Sequence, residues 1–275
     1  MICNLPLADV YYEKVGAGMP VLMLHGYCPD HRLMSGCFEP VFESLPGWQR
    51  IYLDLPGMGR TPGRPEVDSS DRMLEVVEAF IERVIGNQPF LVCGESYGGY
   101  LARGLVYRRT EQVAGMMLLC PMLVAEHARR DLPEYTVLVR DDKFIESLSQ
   151  PDRAEFEPMA VVQTRDVWLR FHNEIMPGVN MADMSFLEAL QKHAYGFSFD
   201  PDALETPFKK PSLILTGRQD TSTGYRDAWP ILEKYPRATF AVLDTAGHNL
   251  QIEQAGLFNA LVAEWLRRVR RELEV

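Results

Sequence analysis

The sequence lacks the features of secreted, membrane-spanning and metal-binding proteins. Its first residues carry no basic segment followed by a long apolar run, so we expect no secretory signal. No run reaches the ~18 apolar residues that a membrane helix needs, so we expect no membrane partner. The cysteines are few and scattered, without a CxxC pair or a His/Cys cluster, which predicts no metal site. A cytoplasmic protein with reduced thiols is the simplest expectation.

The sequence also has few positively charged residues relative to negatively charged ones. The chain has 28 Lys and Arg against 38 Asp and Glu, a net charge of −10. Such a surface repels phosphate backbones, so we expect no nucleic-acid partner. The hydrophobic content of 47% and the charged content of 24% are ordinary for a globular protein. A chain of 275 residues can form one domain, with or without an insertion.

Short apolar runs alternate with segments of helical spacing. Strands are predicted at 9–15, 20–24, 50–53, 90–93, 113–120, 211–216 and 239–243, and helices at 70–85, 100–109, 225–234 and 250–270. Because most of these runs are apolar without alternation, both faces of the sheet should be covered. The pattern predicts an α/β fold with a mostly parallel, doubly wound sheet.

The alternation stops between residues 121 and 205. This stretch has helical pieces, the clearest at 183–194, but no clear buried strand. Residues 126–205 contain 16 acidic and 8 basic side chains, so most of the net negative charge lies there. We predict a helical insertion at 121–205 after the sixth strand, and a core formed by 1–120 and 206–275.

A G-x-S-x-G motif lies between a predicted strand and a predicted helix. It consists of Gly94, Ser96 and Gly98 with Glu95 and Tyr97 between them. A serine in a tight turn of this kind has its hydroxyl raised above the sheet edge, and small neighbours let the strand and helix pack closely. The context predicts that Ser96 is a nucleophile.

Two further polar residues follow later strands. Asp220 follows the strand at 211–216, and His248 follows the strand at 239–243. Ligand sites of open parallel sheets lie at the carboxyl ends of the strands, and serine, acid and histidine in this order form one known hydrolytic triad. Asp244 and Glu126 are alternatives to Asp220 as the acid. His25 is expected to brace its turn by hydrogen bonds.

Taken together, these motifs resemble the α/β-hydrolase superfamily over nearly the whole chain. The segments that carry the resemblance are 25–27, 54–60, 94–99, 217–220 and 247–248. The resemblance implies that the insertion is a cap over the active site. It also implies an oxyanion hole formed by the backbone N–H groups of Tyr27 and Tyr97. The sequence departs from the family at Glu95, where many relatives carry histidine.

The sequence offers three candidates for residues that line the substrate pocket. Glu95, Trp168 and His193 are the candidates, because the first adjoins the nucleophile and the other two lie in the insertion. The remaining histidines are expected at the surface or in the cap; they are His31, His127 and His172.

The sequence thus predicts a serine hydrolase without a cofactor, acting on a small-molecule carboxylic ester, thioester or lactone as a monomer or homodimer. Ser96 attacks, His248 is base and then acid, and Asp220 orients the imidazole. The histidine should titrate near its ordinary pKa of ~6.5. An amidase, an aminopeptidase-like enzyme or a C–C bond hydrolase would use the same triad, and a non-catalytic ligand-binding protein is a further alternative.

Overall fold

Eight strands form one twisted sheet in the computed structural model, which describes residues 1–274. The strands of the chain are β1 Ile2–Asn4, β2 Asp9–Gly16, β3 Met19–Leu24, β4 Trp48–Leu53, β5 Phe90–Glu95, β6 Val113–Leu119, β7 Val139–Arg140, β8 Val162–Gln163, β9 Ser212–Gly217 and β10 Ala238–Leu243. The main sheet has the order β1-β2-β4-β3-β5-β6-β9-β10, and β7 pairs with β8 apart from it.

The sheet is mostly parallel, as predicted. Only β2 runs antiparallel to its neighbours β1 and β4, and the pairs from β4 through β3 to β10 are parallel. The chain passes from β3 to β4 on one side and then crosses back to β5 on the other side of β3. The carboxyl ends of β3 and β5 therefore meet where the strand order reverses, which is where such sheets form their binding crevice.

Residues 1–274 contain ten α-helices. They are α1 His31–Phe42, α2 Ser70–Val84, α3 Tyr97–Arg109, α4 Asp142–Ser147, α5 Gln150–Phe156, α6 Arg165–Arg170, α7 Met176–Val179, α8 Met184–Ala194, α9 Leu250–Glu253 and α10 Ala255–Leu273. A π-helical segment, Phe171–Ile175, joins α6 to α7. No helix among residues 1–274 combines the length and apolarity needed to cross a bilayer.

Helices cover both faces of the sheet, which explains the apolar strand sequences. Val21 of β3 belongs to a core that includes Phe38 of α1 and Phe258 of α10. Its neighbour Leu22 belongs to a second core, on the opposite face, that includes Phe80 of α2. Successive residues of a strand point to opposite faces, so a strand buried on both sides has to be apolar throughout.

Two predicted helices need correction, and one helix was not predicted. The predicted helix at 225–234 is wrong: the structure has only single turns of 3₁₀-helix at Arg226–Ala228 and Leu232–Lys234. Pro230 has no backbone N–H to donate in an α-helical ladder, which explains the interruption. The predicted helix at 250–270 breaks at Gln254, between α9 and α10, and α10 continues to residue 273. Helix α1 was not predicted, because Gly36 and Pro40 interrupt its pattern of helix-forming residues.

The segment between β6 and β9 carries α4 to α8 and the short strands β7 and β8. Its buried aromatic side chains join the core cluster that also covers one face of the sheet; they are Phe144, Phe156, Trp168 and Phe171. We call the segment 121–205 the cap.

Candidate active site

Ser96 occupies a strained turn between β5 and α3. Its backbone has φ 52° and ψ −113°, a combination that costs a non-glycine residue on the order of 1–3 kcal/mol. A Cβ at Gly94 would collide with the carbonyl of Gly98, and a Cβ at Gly98 would collide with the carbonyl of Leu24. The two glycines of the motif are therefore required by the close approach of strand and helix, as the sequence indicated.

Asp220 and His248 meet above the same edge of the sheet. The Nδ1 atom of His248 lies 2.9 Å from Oδ2 of Asp220. Asp220 is fully buried, and its Oδ1 accepts hydrogen bonds from the backbone amides of Ser222 (2.8 Å) and Thr223 (3.0 Å). The hydroxyl of Thr223 donates to Oδ2 at 2.8 Å. These donors fix the carboxylate in one orientation.

The environment raises the pKa of His248 well beyond the value expected from the sequence. Burial opposes protonation, but the charge and hydrogen bond of Asp220 and the charge of Glu95 raise the pKa of His248 to about 9. Burial also works against ionisation of Asp220, yet the adjacent imidazolium and the hydrogen bonds of Thr223 lower the pKa of that carboxyl below its usual value. The expectation of ~6.5 for the histidine is thus corrected, because two carboxylates stabilise its charged form.

The alternative acids do not contact His248. Asp244 is exposed and accepts a hydrogen bond from the side chain of Gln219 at 2.8 Å. Glu126 is 66% exposed and lies 3.8 Å from Arg129. His25 is fully buried and braces its turn as expected: Nδ1 lies 2.8 Å from the carbonyl of Gly26, and Nε2 accepts from the amide of Leu55 at 3.0 Å.

Tyr27 and Tyr97 follow β3 and β5 at the switch point of the sheet. Within residues 1–274, neither backbone N–H donates to a protein acceptor. Their side chains pack edge to face with ring centroids 5.1 Å apart, and Tyr195 at the end of α8 stacks on Tyr97 at 5.2 Å. The hydroxyl of Tyr27 donates to the carbonyl of Leu187 in α8 at 2.6 Å. The rings thus anchor the cap, while the amides stay free.

A cavity of about 240 Å³ opens over Ser96. Its apolar wall comes from α1 and from the cap, and its polar part adjoins the nucleophile; the lining residues are Tyr27, Cys28, Pro29, Leu33, Glu95, Ser96, Glu155, Met159, Phe171, Ile175, Val179, His248 and Asn249. The side-chain nitrogen of Asn249 is buried without a hydrogen-bond partner among the described residues.

Two of the three predicted pocket residues are not on this lining. Glu95 lines the cavity, but Trp168 lies behind Phe171 and packs against Phe156 with ring centroids 5.3 Å apart. His193 is 68% exposed, close to Asp68, and borders a separate surface groove. The sequence located both in the cap but carried no information on which side of it they face.

The prediction that His31 lies at the surface or in the cap is wrong. Its side chain is 5% exposed, and Nδ1 lies 2.7 Å from Oδ1 of Asp54. Asp54 also accepts from the amide of Arg60 at 2.8 Å. Burial opposes protonation, but Asp54 raises the pKa of His31. This pair braces the loops after β3 and β4.

Sequence reasoning missed Glu253. Its carboxylate is partly buried and accepts three backbone hydrogen bonds, from Val161 (2.7 Å), Val162 (3.2 Å) and Gly247 (2.6 Å). It therefore ties strand β8 of the cap to the residue that precedes His248. Nothing in the sequence distinguishes Glu253 from a solvent-exposed acid at the start of a helix.

Comparisons with known proteins agree with this architecture. The alpha/beta hydrolase fold family matches residues 19–255. A pimeloyl-[acyl-carrier protein] methyl ester esterase of Nitrosomonas europaea is 28% identical, over 88% of this chain and 93% of its own. A 2-hydroxymuconate semialdehyde hydrolase of Pseudomonas sp. is 24% identical, over 91% and 88%.

Among solved structures, an alpha/beta superfamily hydrolase from Oenococcus oeni superimposes with a TM-score of 0.88. It is 30% identical, and the match covers 95% of this chain and 96% of that one. The family match, the fold and the strained turn at Ser96 agree. The chain therefore belongs to the α/β-hydrolase superfamily and is a hydrolase of that fold.

Proposed function

We propose that the protein hydrolyses a small carboxylic ester, thioester or lactone through an acyl-enzyme on Ser96. The observation that carries the proposal is the 2.9 Å contact between Asp220 and His248 beside a serine with a strained backbone. A serine hydroxyl is a weak nucleophile until a base removes its proton, and a buried carboxylate sets the tautomer of that base.

The steps follow from the positions of the groups. Neutral His248 takes the proton of Ser96 as the serine oxygen bonds to the carbonyl carbon. The amides of Tyr27 and Tyr97 donate to the oxyanion that forms. His248 then gives its proton to the leaving alcohol or thiol, and the acyl-enzyme remains. Water, deprotonated by His248, releases the acid and restores the serine.

The cavity supports a compact substrate. Its volume of about 240 Å³ lies below the roughly 300–1,000 Å³ of pockets that hold drug-sized ligands. We assign the segment 121–205 the role of a cap, since Phe171, Ile175 and Val179 wall the cavity on the side away from the sheet. A closed apolar wall favours a short acyl or alcohol group over a polymer.

Similarity to other proteins supports ester hydrolysis as the first candidate activity and hydrolysis of a carbon–carbon bond as the second. Several similar chains are named as methyl ester esterases. One is named as a 2-hydroxymuconate semialdehyde hydrolase, and this favours C–C bond hydrolysis as the second candidate. A purely ligand-binding role gives no reason for the Asp220–His248 geometry.

Turnover of two substrate types tests the proposal. We expect p-nitrophenyl butyrate to be hydrolysed by the wild-type protein, and the activity to be lost in Ser96→Ala. A 2-hydroxymuconate semialdehyde, assayed in parallel, should react much more slowly. The reverse preference would replace the ester proposal with the C–C one. If Ser96→Ala kept both activities, the ester proposal and the C–C proposal would both be rejected.

A further inference from the structure

Glu95 is a buried carboxyl group at the centre of the site that the triad does not explain. It is the last residue of β5, it directly precedes Ser96, and it is only 2% exposed. A Cβ at Gly26 would collide with its carboxylate, so the glycine at that position leaves room for it. The side chain nevertheless reaches the cavity and forms part of its lining.

The carboxylate of Glu95 faces the nitrogen of His248 that the reaction needs. Oε1 of Glu95 lies 3.2 Å from Nε2 of His248. Within residues 1–274, no hydrogen bond joins the hydroxyl of Ser96 to that nitrogen. An imidazole nitrogen carries either one proton or one lone pair in the ring plane, so Nε2 cannot serve Glu95 and Ser96 together.

We propose that Glu95 is a positioning residue: in the free enzyme its carboxylate holds Nε2 of His248, and Ser96 must displace it before His248 can act as base. This inference rests on the proposed function, because it assigns His248 the role of base. The imidazolium is then held between two carboxylates, Asp220 at Nδ1 and Glu95 at Nε2.

The electrostatics agree with this arrangement, in which Asp220 and Glu95 hold the imidazolium between them and which we call the clamp. Burial raises the pKa of Glu95 to about 7, although the positive charge of His248 works in the other direction. Asp220 and Glu95 raise the pKa of His248 to about 9 against its burial. Other ionisable groups also lie around the pair; they are Arg130 and Glu155 of the cap, Cys28 after β3, Cys120 after β6, Cys37 of α1 and Tyr195 at the end of α8.

The clamp has a cost for catalysis near neutral pH. Ser96 can give up its proton only to a neutral imidazole with a free lone pair on Nε2. The Nε2 proton therefore has to leave to water, and the ring has to exchange Glu95 for the serine oxygen. Removing the charge of Glu95 should favour both events, because a negative charge at this distance raises the pKa of an imidazole by about one to three units.

The test is a titration of His248 by NMR in protein with ¹³C-labelled histidine. In Glu95→Gln we expect the titration of His248 to move at least about one pH unit lower than in the wild type. The acid limb of kcat/KM should move with it, so that activity at pH 7 rises about tenfold for a one-unit shift. A residue with a purely structural role would lower activity at every pH and leave the limb in place.

Glu155→Gln is the matched control, because Glu155 lines the same cavity from the cap and is exposed at its mouth. It should leave the titration of His248 within a few tenths of a unit of wild type. If Glu95→Gln does not fold, Glu95→Asp keeps the charge but withdraws it by one methylene, and a smaller downward shift is expected. An unchanged titration in the Glu95 variants would overturn the inference even if ester hydrolysis is observed. Absence of hydrolysis would reject the proposed function and leave the titration result standing.

Discussion

The carboxylate of Asp220 lies 2.9 Å from Nδ1 of His248 and is itself fixed by donors from Ser222 and Thr223. A buried, fully hydrogen-bonded carboxylate cannot turn away from the imidazole without leaving donors unpaired. The geometry therefore selects one tautomer of His248, with its Nδ1 protonated, and presents Nε2 to the cavity.

Asp220→Asn should keep the fold and lower kcat by up to about 10⁴-fold. The amide NH₂ group cannot accept a hydrogen bond, so the substitution disturbs either the imidazole tautomer or the bonds from Ser222 and Thr223. Steady-state kinetics with p-nitrophenyl butyrate, supported by circular dichroism, provide the measurement. Asp244→Asn and Glu126→Gln are the matched controls and should stay near wild type. Near-wild-type activity in Asp220→Asn would show that another acid orients the histidine.

The pH dependence of kcat/KM should report the raised pKa of His248. The base is active only when neutral, so kcat/KM is low below its pKa and rises with pH as the proton leaves. In the wild-type free enzyme this rise should centre near pH 9 rather than ~6.5. Initial rates from pH 5 to 10, corrected for spontaneous hydrolysis, measure it. A limb centred near 6.5 would mean that Asp220 and Glu95 do not jointly stabilise the imidazolium.

Substrate size and charge should both affect the rate. The cavity is small and apolar on the cap side, so p-nitrophenyl esters of short acyl chains should react faster than long ones. Glu95 within the cavity and Glu155 at its mouth should disfavour anionic esters, by a repulsion that salt weakens. A chain-length series and a pair of neutral and anionic esters, each at low and high salt, test the two expectations. Highest kcat/KM on long-chain or anionic esters would contradict this view of the cavity.

Much of the scaffold could be predicted because its signals are local. Uninterrupted apolar runs identified the buried strands β3, β5, β6 and β9, and the small residues around Ser96 identified the turn. These features depend on backbone sterics and burial, which act over a few neighbouring residues. The order of Ser96, Asp220 and His248 after successive strands then followed from the geometry of parallel sheets.

The contacts that tune the site could not be predicted in the same way. Glu95 and Glu253 owe their environment to residues distant in the chain, His248 and Val161 respectively, and no periodicity encodes those contacts. The same limit explains why Trp168 and His193 were wrongly predicted to line the pocket. The sequence located them in the cap but did not show which side of the cap they face. This limit also explains His31, whose burial depends on a partner at Asp54 in another loop.

Covalent labelling tests the central claim, that Ser96 is a nucleophile activated by His248, most directly. A fluorophosphonate should add one phosphonyl group to the wild-type protein, and peptide mass spectrometry should locate it on Ser96. Ser96→Ala should remain unlabelled, and His248→Ala should react far more slowly. Labelling at another residue, or no labelling of folded wild-type protein at a pH where His248 is neutral, would contradict the account.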